Sequence, residues 1–331
     1  MTALAGALVL ARPRSRRLAR YVGGRLVQAV VVLWLAYTLT FVAITLLPSN
    51  PIEMFATDDT GVIDERTVEQ MKLYYGYDHG VAERYFIELG HLLHGSLGYS
   101  MSTGQTVGHA ITNAAPSTLQ LTLGAFAAAA VITAAIVVTA SLGRWRWLRS
   151  FAVLLPPVFA AAPVFWVGIL VLNLLSFRLG WISVFPDGSL LSIVVPSVVL
   201  GLPLSAAFSQ VLLKSVGTVY DSDFVDVVRA KGAGRGWVFW RHVVRNAAGP
   251  GLTVAGNVLG TLVGGAVVTE TVFARAGVGR VLQTAVSQQD VSLVQGFILI
   301  IAGVYVVVNL AIDLLYPVLD RRILLTPGAA R

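Results

Sequence analysis

Apolar residues along the chain gather into six runs, at about 26–47, 118–141, 151–177, 191–213, 252–272 and 293–317. Each approaches the roughly 20 residues with which an α-helix crosses about 30 Å of hydrocarbon. Pro203 interrupts the fourth run and Gly256, Gly260, Gly264 and Gly265 loosen the fifth, both tolerable where membrane helices pack on one another. Residues 48–117, between the first two runs, follow another pattern. Val68, Met71, Leu73 and Tyr74, then Tyr85, Phe86, Leu89, Leu92 and Leu93, recur at helical spacing beside Glu69, Glu83 and Glu88, which predicts amphipathic helices with polar outer faces. Gly95-Ser96-Leu97-Gly98-Tyr99-Ser100 closes that pattern as a turn. A short connection, Arg144-Trp145-Arg146-Trp147, carries tryptophans suited to headgroup depth. The pattern predicts an all-α integral membrane protein of about six transmembrane helices, with a small insertion after the first.

Composition agrees, since 56% of the 331 residues are hydrophobic and only 12% charged, far from a soluble domain. A net charge of +7 would suit nucleic acid, but the distribution of the charges assigns it to topology. With an inside N-terminus, 18 of the 24 Lys and Arg fall in inside segments and 12 of the 17 Asp and Glu in outside ones. The positive-inside rule then predicts a multi-pass protein of the cell's cytoplasmic (inner) membrane, with both termini cytoplasmic and no nucleic-acid partner. The chain divides into a basic cytoplasmic tail at 1–20, a first transmembrane helix at 21–47 and an extracytoplasmic segment at 48–117. A transmembrane core follows at 118–317, with a cytoplasmic loop at 214–250, and a cytoplasmic tail at 318–331. The apolar stretch from Ala3 to Ala11 precedes the arginines, the reverse of a secretory signal. Residues 1–17 read as a basic tail near anionic lipid or as an overextended start. No residue is cysteine, which excludes disulfides and thiolate metal sites.

Candidate chemistry narrows the function by elimination. The chain has no G-x-x-x-x-G-K-[ST] loop to cradle nucleotide phosphates, no His-Glu-x-x-His pair and no G-x-S-x-G elbow. It is read as a non-enzyme with no cofactor and no metal of its own. His91 and His94 stand three apart and could share a helical face toward a metal, but no third ligand lies nearby in sequence, so they read as interfacial histidines. Glu270 and Asp313 lie toward opposite ends of the fifth and sixth runs, and Glu270 is either an interfacial anchor or an outer gate. So few deep ionisable residues argue against a proton-coupled carrier. In the fifth run Gly256, Gly260, Thr261, Gly264 and Gly265 either let helices approach closely or line a pathway of small, weakly polar residues.

The most informative segment is DVVRAKGAGRGWVFWRHVVRNAAGP, residues 226–250. Asp226 precedes Gly232, Gly234 and Gly236 follow, and apolar residues resume at Trp237, a pattern that reads helix, turn, helix. Trp237, Val238, Phe239 and Trp240 offer apolar surface either to a partner's groove or to the chain's own helices. The run Arg229-Ala230-Lys231-Gly232, followed by Arg241-His242 and Arg245-Asn246, resembles the EAA loop of ABC-importer permeases. In particular it resembles the B-type subunit of the dipeptide/oligopeptide/nickel family. It extends from Tyr21 to Ile323 and takes in Leu46-Leu47-Pro48, where Ser49-Asn50 replace the family's Gly-Asp pair. It continues through Gly95 to Ser100, Pro116-Ser117-Thr118-Leu119 and Pro163-Val164-Phe165-Trp166. Toward the end come Glu270-Thr271-Val272-Phe273, Gly277-Val278-Gly279-Arg280, Asp290 and Asp313-Leu314-Leu315-Tyr316.

The resemblance implies the type I ABC-importer permease fold and a permease subunit that translocates dipeptides or oligopeptides, with nickel or a metal chelate as the other substrate class. It implies a homologous second permease and an extracytoplasmic substrate-binding protein. Two ATPase subunits, or one fused ATPase, would hold ATP and Mg, and membrane lipid would surround the spans. Asp226, Arg229, Ala230, Lys231, Gly232, Arg241 and Arg245 would form the loop that enters the ATPase cleft, with Asp226 at the motif's glutamate and Gly232 at its glycine. Readings of another class are a secondary carrier, which needs a midplane titratable relay, and a membrane scaffold or sensor, which needs no pathway.

Overall fold

The computed structural model describes residues 14–46 and 65–319, without the side chains of 14–22, of several positions in 65–71 and 252–263, and of those beyond 311. Ser49, Asn50, both terminal stretches and the surroundings of Gly256, Gly260, Thr261 and Asp313 therefore lie outside the described residues. In chain order the helices are α1 (Arg14–Thr45), α2 (Glu65–Tyr74), α3 (Val81–Leu93), α4 (Val107–Leu142), α5 (Arg146–Ala161) and α6 (Val164–Leu172). Next come α7 (Leu190–Tyr220), α8 (Asp223–Ala230), α9 (Arg235–Val238), α10 (Val244–Val272), α11 (Val278–Ser287) and α12 (Val291–Leu319). A π-helical turn extends α6 at Asn173–Arg178, and another joins α9 to α10 at Phe239–Val243. No strand occurs among the described residues. The chain forms two compact units, Met1–Gly104 with Gln289–Arg331, and Gln105–Gln288.

In the first unit α1 packs along α12. Thr38, Thr40 and Thr45 return their hydroxyls to carbonyls one turn back in α1, so the apolar helix carries these hydroxyls without orphaning them. The amphipathic pattern at 68–93 forms α2 and α3. Tyr37 donates to the Tyr85 carbonyl at 2.8 Å and Phe41 meets the Tyr85 ring edge-on at 5.2 Å. Buried Arg84 lies over the rings of Tyr77 (4.3 Å) and Phe41 (5.0 Å) and pairs with Glu88 at 3.1 Å. Burial raises the Glu88 carboxyl above its ordinary range against the pull of Arg84.

The second unit is built on α4, α7 and α10. Leu121, Ala125 and Ala129 meet Leu200, Leu204 and Phe208, and Val258, Leu262 and Ala266 close the core from α10. These positions recur every four residues, one face of a helix. Backbones cross closely where α4 meets α7: a Cβ at Gly201 would stand 2.8 Å from the Ala125 carbonyl oxygen and 3.1 Å from the Ala128 Cβ. Thr133, Ser205 and Ser209 bond across the same seam, the small-residue packing expected of membrane helices.

Four helical stretches are each long and apolar enough to cross a membrane: Gly23–Thr45, Val107–Leu142, Leu190–Tyr220 and Val291–Ala311. The 29-residue α10 covers the fifth apolar run. Two boundaries differ from the sequence pattern. α4 begins at Val107, where Thr106 caps it by accepting from the His109 N–H, and so its first turns fall inside the segment read as 48–117. The run 151–177 is two helices meeting at 101° and not one straight span. Pro163 is the cause: its ring drives Ala162 into an extended conformation (φ −80°, ψ 117°), which ends α5. Trp145, at the N-cap of the bend's first helix, and Trp147, in its first turn, stack at 5.9 Å, both exposed.

Candidate functional site

The 223–248 segment does form helix, turn and helix. α8 holds Asp223 and Asp226 in its first turn and Arg229 in its last, each sign matching the adjacent helix end. Gly232 follows at φ +84° with nothing within 4 Å of the position a Cβ would take. Glycine is needed here for left-handed backbone and not for room. α9 then runs through the π-turn into α10.

The segment has two faces. Val225, Val238, Phe239, Val243 and Ala247 are buried against Val137 of α4 and Val216 of α7. Asp226, Arg229, Ala230, Lys231, Gly232, Arg241 and Arg245 are all exposed. The Arg229–Asp226 contact is 3.6 Å between exposed side chains, so it contributes little. Phe239 packs in the core with Val238, whereas Trp237 and Trp240 remain 56% and 61% exposed. The inner face is thus part of one core with α4, α7 and the start of α10.

At the far end of α10, Glu270 has no exposed surface. It accepts from the Thr118 hydroxyl (2.5 Å) and from the N–H groups of Gly279 (2.7 Å) and Arg280 (3.3 Å). The Thr118 oxygen accepts from the Val278 N–H at 2.8 Å, and the Val281 N–H reaches the Gly277 carbonyl at 3.0 Å. All four leading N–H groups of α11 thus have acceptors. A Cβ at Gly277 would overlap the Glu270 carboxylate. Arg275, 4% exposed, donates to the Ser192 carbonyl (2.8 Å) and the Gln120 side chain (2.9 Å). Burial lowers its pKa, opposed by Glu270. Glu270 is a clasp joining α4, α10 and α11, close to the C-terminal end of α10.

Of the fifth-run residues, Gly264 faces open space, while a Cβ at Gly265 would stand 2.8 Å from the Leu200 side chain. In the first unit a second buried carboxylate, Asp290, accepts from the hydroxyls of Ser100 (2.6 Å) and Ser102 (2.9 Å) and the Ser102 N–H (3.0 Å). It also takes the Leu293 N–H at 3.1 Å, capping α12. His91 stacks on Tyr74, and the His94 ring bonds the Gly90 carbonyl. Among the described residues no three His, Cys, Asp or Glu stand close enough to hold a metal.

Residues 132–325 match the family described as the binding-protein-dependent transport system inner membrane component. The chain belongs to this family. A protein of Brucella abortus (strain 2308), named for a peptide transport system permease, is 32% identical over 307 residues, covering 90% of this chain and 97% of its own. The glutathione transport system permease protein GsiC of Escherichia coli O6:H1 is 28% identical over 300 residues, with coverage of 91% and 97%. The chain is a multi-pass membrane permease subunit of an ABC transport system, with the type I permease fold, and is not an enzyme.

The residues that sequence reasoning missed in this permease are the partners of its buried carboxylates. Thr118, Glu270, Gly277 and Gly279 come from three separate stretches quoted above for the resemblance, and they converge on one clasp. Ser100 and Asp290 come from two more and converge on another. A readable signal existed: a lone carboxylate ending an apolar run, followed after a short turn by Gly-x-Gly at the start of a helix.

Proposed function

We propose that this permease imports peptides, driven by ATP hydrolysis on partner subunits. The 214–250 loop is the coupling element, and both termini and that loop face the cytosol. The observation that carries this reading is the two-faced loop, with an exposed basic surface around Gly232 backed by Val225, Phe239 and Val243 in the core of α4, α7 and α10. Closure of an ATPase pair around Asp226, Arg229, Ala230, Lys231, Gly232, Arg241 and Arg245 moves the three helices together. The Glu270 clasp carries that motion from α10 to α4 and α11 and serves as an anchor, since a carboxylate with no exposed surface does not meet the substrate. ATP and Mg sit on two ATPase subunits or one fused ATPase. A homologous second permease completes the pathway, and an extracytoplasmic binding protein selects the cargo. Peptide is favoured over nickel because the relatives are named for peptide and glutathione transport.

Copurification and reconstitution test the proposal. The tagged chain should bring down an ATPase and a second permease, and vesicles holding the whole assembly should take up peptide with ATP. Gly232→Val places a β-branched residue at φ +84°, at a cost of about 1–3 kcal/mol, and should uncouple hydrolysis from uptake. Asp226→Ala should lower transport-linked hydrolysis while the spans stay folded. Uptake by vesicles of this chain alone would establish a secondary carrier instead, and a chain that copurifies with no ATPase would be a scaffold.

A further inference from the structure

Beneath the loop lies a cavity of about 420 Å³, between the ends of α4 and α7, α5 and the loop helices. Its lining combines the polar side chains of Arg229, Arg235, Tyr220 and Ser141 with an apolar floor of residues that includes Val153, Leu213 and Val216. Both arginines have weak existing contacts. Arg229 touches exposed Asp226 at 3.6 Å and lies 5.3 Å over the Tyr220 ring, and Arg235 reaches the Ser141 carbonyl at 3.5 Å, the outer limit of a hydrogen bond. Each guanidinium has five N–H donors, so both retain capacity for an anion. Beside the cavity, Phe151, Val153 and Leu154 of α5 are at least half exposed. The stacked Trp145 and Trp147 precede them, as befits residues at headgroup depth.

We propose that this cavity binds an anionic phospholipid. The phosphate sits between Arg229 and Arg235, and an acyl chain lies on Val153, Leu213 and Val216. Basic pockets between membrane helices recognise acidic headgroups in this way, and guanidinium–phosphate pairing is the strong form of such contact. An acidic peptide segment or dissolved phosphate would satisfy the arginines and leave the apolar floor bare. A zwitterionic lipid would fill the floor and leave the cations with a weaker partner. The shared phosphate ties α8 to α9 across the Gly232 turn. This inference needs the chain in a bilayer, which its family establishes, and it does not depend on the coupling role.

The test uses the full-length chain, with whatever subunits copurify, in nanodiscs of phosphatidylcholine alone or with added phosphatidylglycerol. Native mass spectrometry counts retained lipid, and thermal unfolding reports its effect. Phosphatidylglycerol should be retained in preference and raise the midpoint, and inorganic phosphate should not reproduce that rise. Arg235→Gln should lower phosphatidylglycerol retention about fivefold, the share of one interfacial arginine, and Arg235→Lys should keep most of it. Val153→Trp should lower retention with no change of charge. Equal retention of the two lipids by the wild type overturns the proposal, as does undiminished phosphatidylglycerol in both Arg235→Gln and Val153→Trp. Reproduction of the midpoint by phosphate alone reduces the cavity to an anion site. A crosslink from an introduced Arg235→Cys to an acidic segment of the ATPase in phosphatidylcholine-only discs makes it a protein socket.

Discussion

Glu270→Ala removes one acceptor that three donors share: the Thr118 hydroxyl and the N–H groups of Gly279 and Arg280. Hydrogen bonds to a charged group contribute about 1.5–3 kcal/mol each, but these three share one carboxylate and their loss is not additive, so the expected destabilisation is about 3–5 kcal/mol. Glu270→Gln is milder. Its carbonyl oxygen accepts from the two N–H groups, and its NH2 turns to the Thr118 oxygen, which already accepts from Val278 but has a second lone pair. Only the Thr118 hydroxyl proton is left without its acceptor, at about 1–2 kcal/mol. Thr118→Val strikes the same cap from the other side, so the Thr118→Val/Glu270→Ala pair should cost about 1–2 kcal/mol less than the sum of the singles. The absence of native cysteine gives a direct readout: a single cysteine at Ala285, 1% exposed on α11, reacts with a thiol reagent only when α11 lifts. Thermal unfolding of the purified chain in detergent gives the ranking, Ala worst, then Thr118→Val, then Gln. Wild-type stability of Glu270→Ala with unchanged protection at 285, or strict additivity of the double variant, refutes the clasp.

Three further outcomes are expected. Single cysteines replacing His79 and Asp187 should react with an impermeant thiol reagent from outside intact cells, and those replacing Trp147 and Arg235 should not; outside labelling at 235 removes the cytosolic coupling loop. Gly201→Ala sets a methyl 2.8 Å from the Ala125 carbonyl and should cost about 1–3 kcal/mol by overpacking, read as a lowered thermal midpoint; an unchanged midpoint means that α4 and α7 do not cross so closely. Burial raises the Glu88 carboxyl against the pull of Arg84, so the native state holds that proton more tightly than the unfolded chain does. Its stabilising effect is then full below the ordinary value near 4.5 and is lost as pH rises through the raised one. Midpoints across that window should fall for the wild type and stay flatter in Glu88→Gln; identical slopes refute the assignment.

The helices were legible because lipid and backbone together leave few alternatives to an apolar helix of about 20 residues. The loop's helix-turn-helix was legible too, since Gly232 and Gly234 punctuate it. What sequence left open at Trp237 to Trp240 was which side of one helix each residue takes, and a π-turn shifts that phase. The bend at Ala162 was missed although Pro163 marks it, because an unbroken apolar run outweighs one proline when only composition is counted. The clasp around Glu270 was not legible because its partners are remote: Thr118 lies 152 residues away, and no periodicity connects the two. Tertiary capping of that kind is visible only when the chain has already been folded.

The π-turn at Phe239–Val243 has a consequence for length. An i→i+5 turn contains about one residue more than an α turn, and each residue advances a helix by about 100°. α10 keeps Ala247, Val258, Leu262 and Ala266 in the core, while Val238 and Phe239, just before it, face the core of the loop. The π-turn lies between those two registers. A deletion of one residue within 240–243 rotates the loop by about 100° against its shaft, turning Phe239 away from its present packing. The number of residues in this segment is therefore as constrained as the identity of its buried Phe239 and Val243.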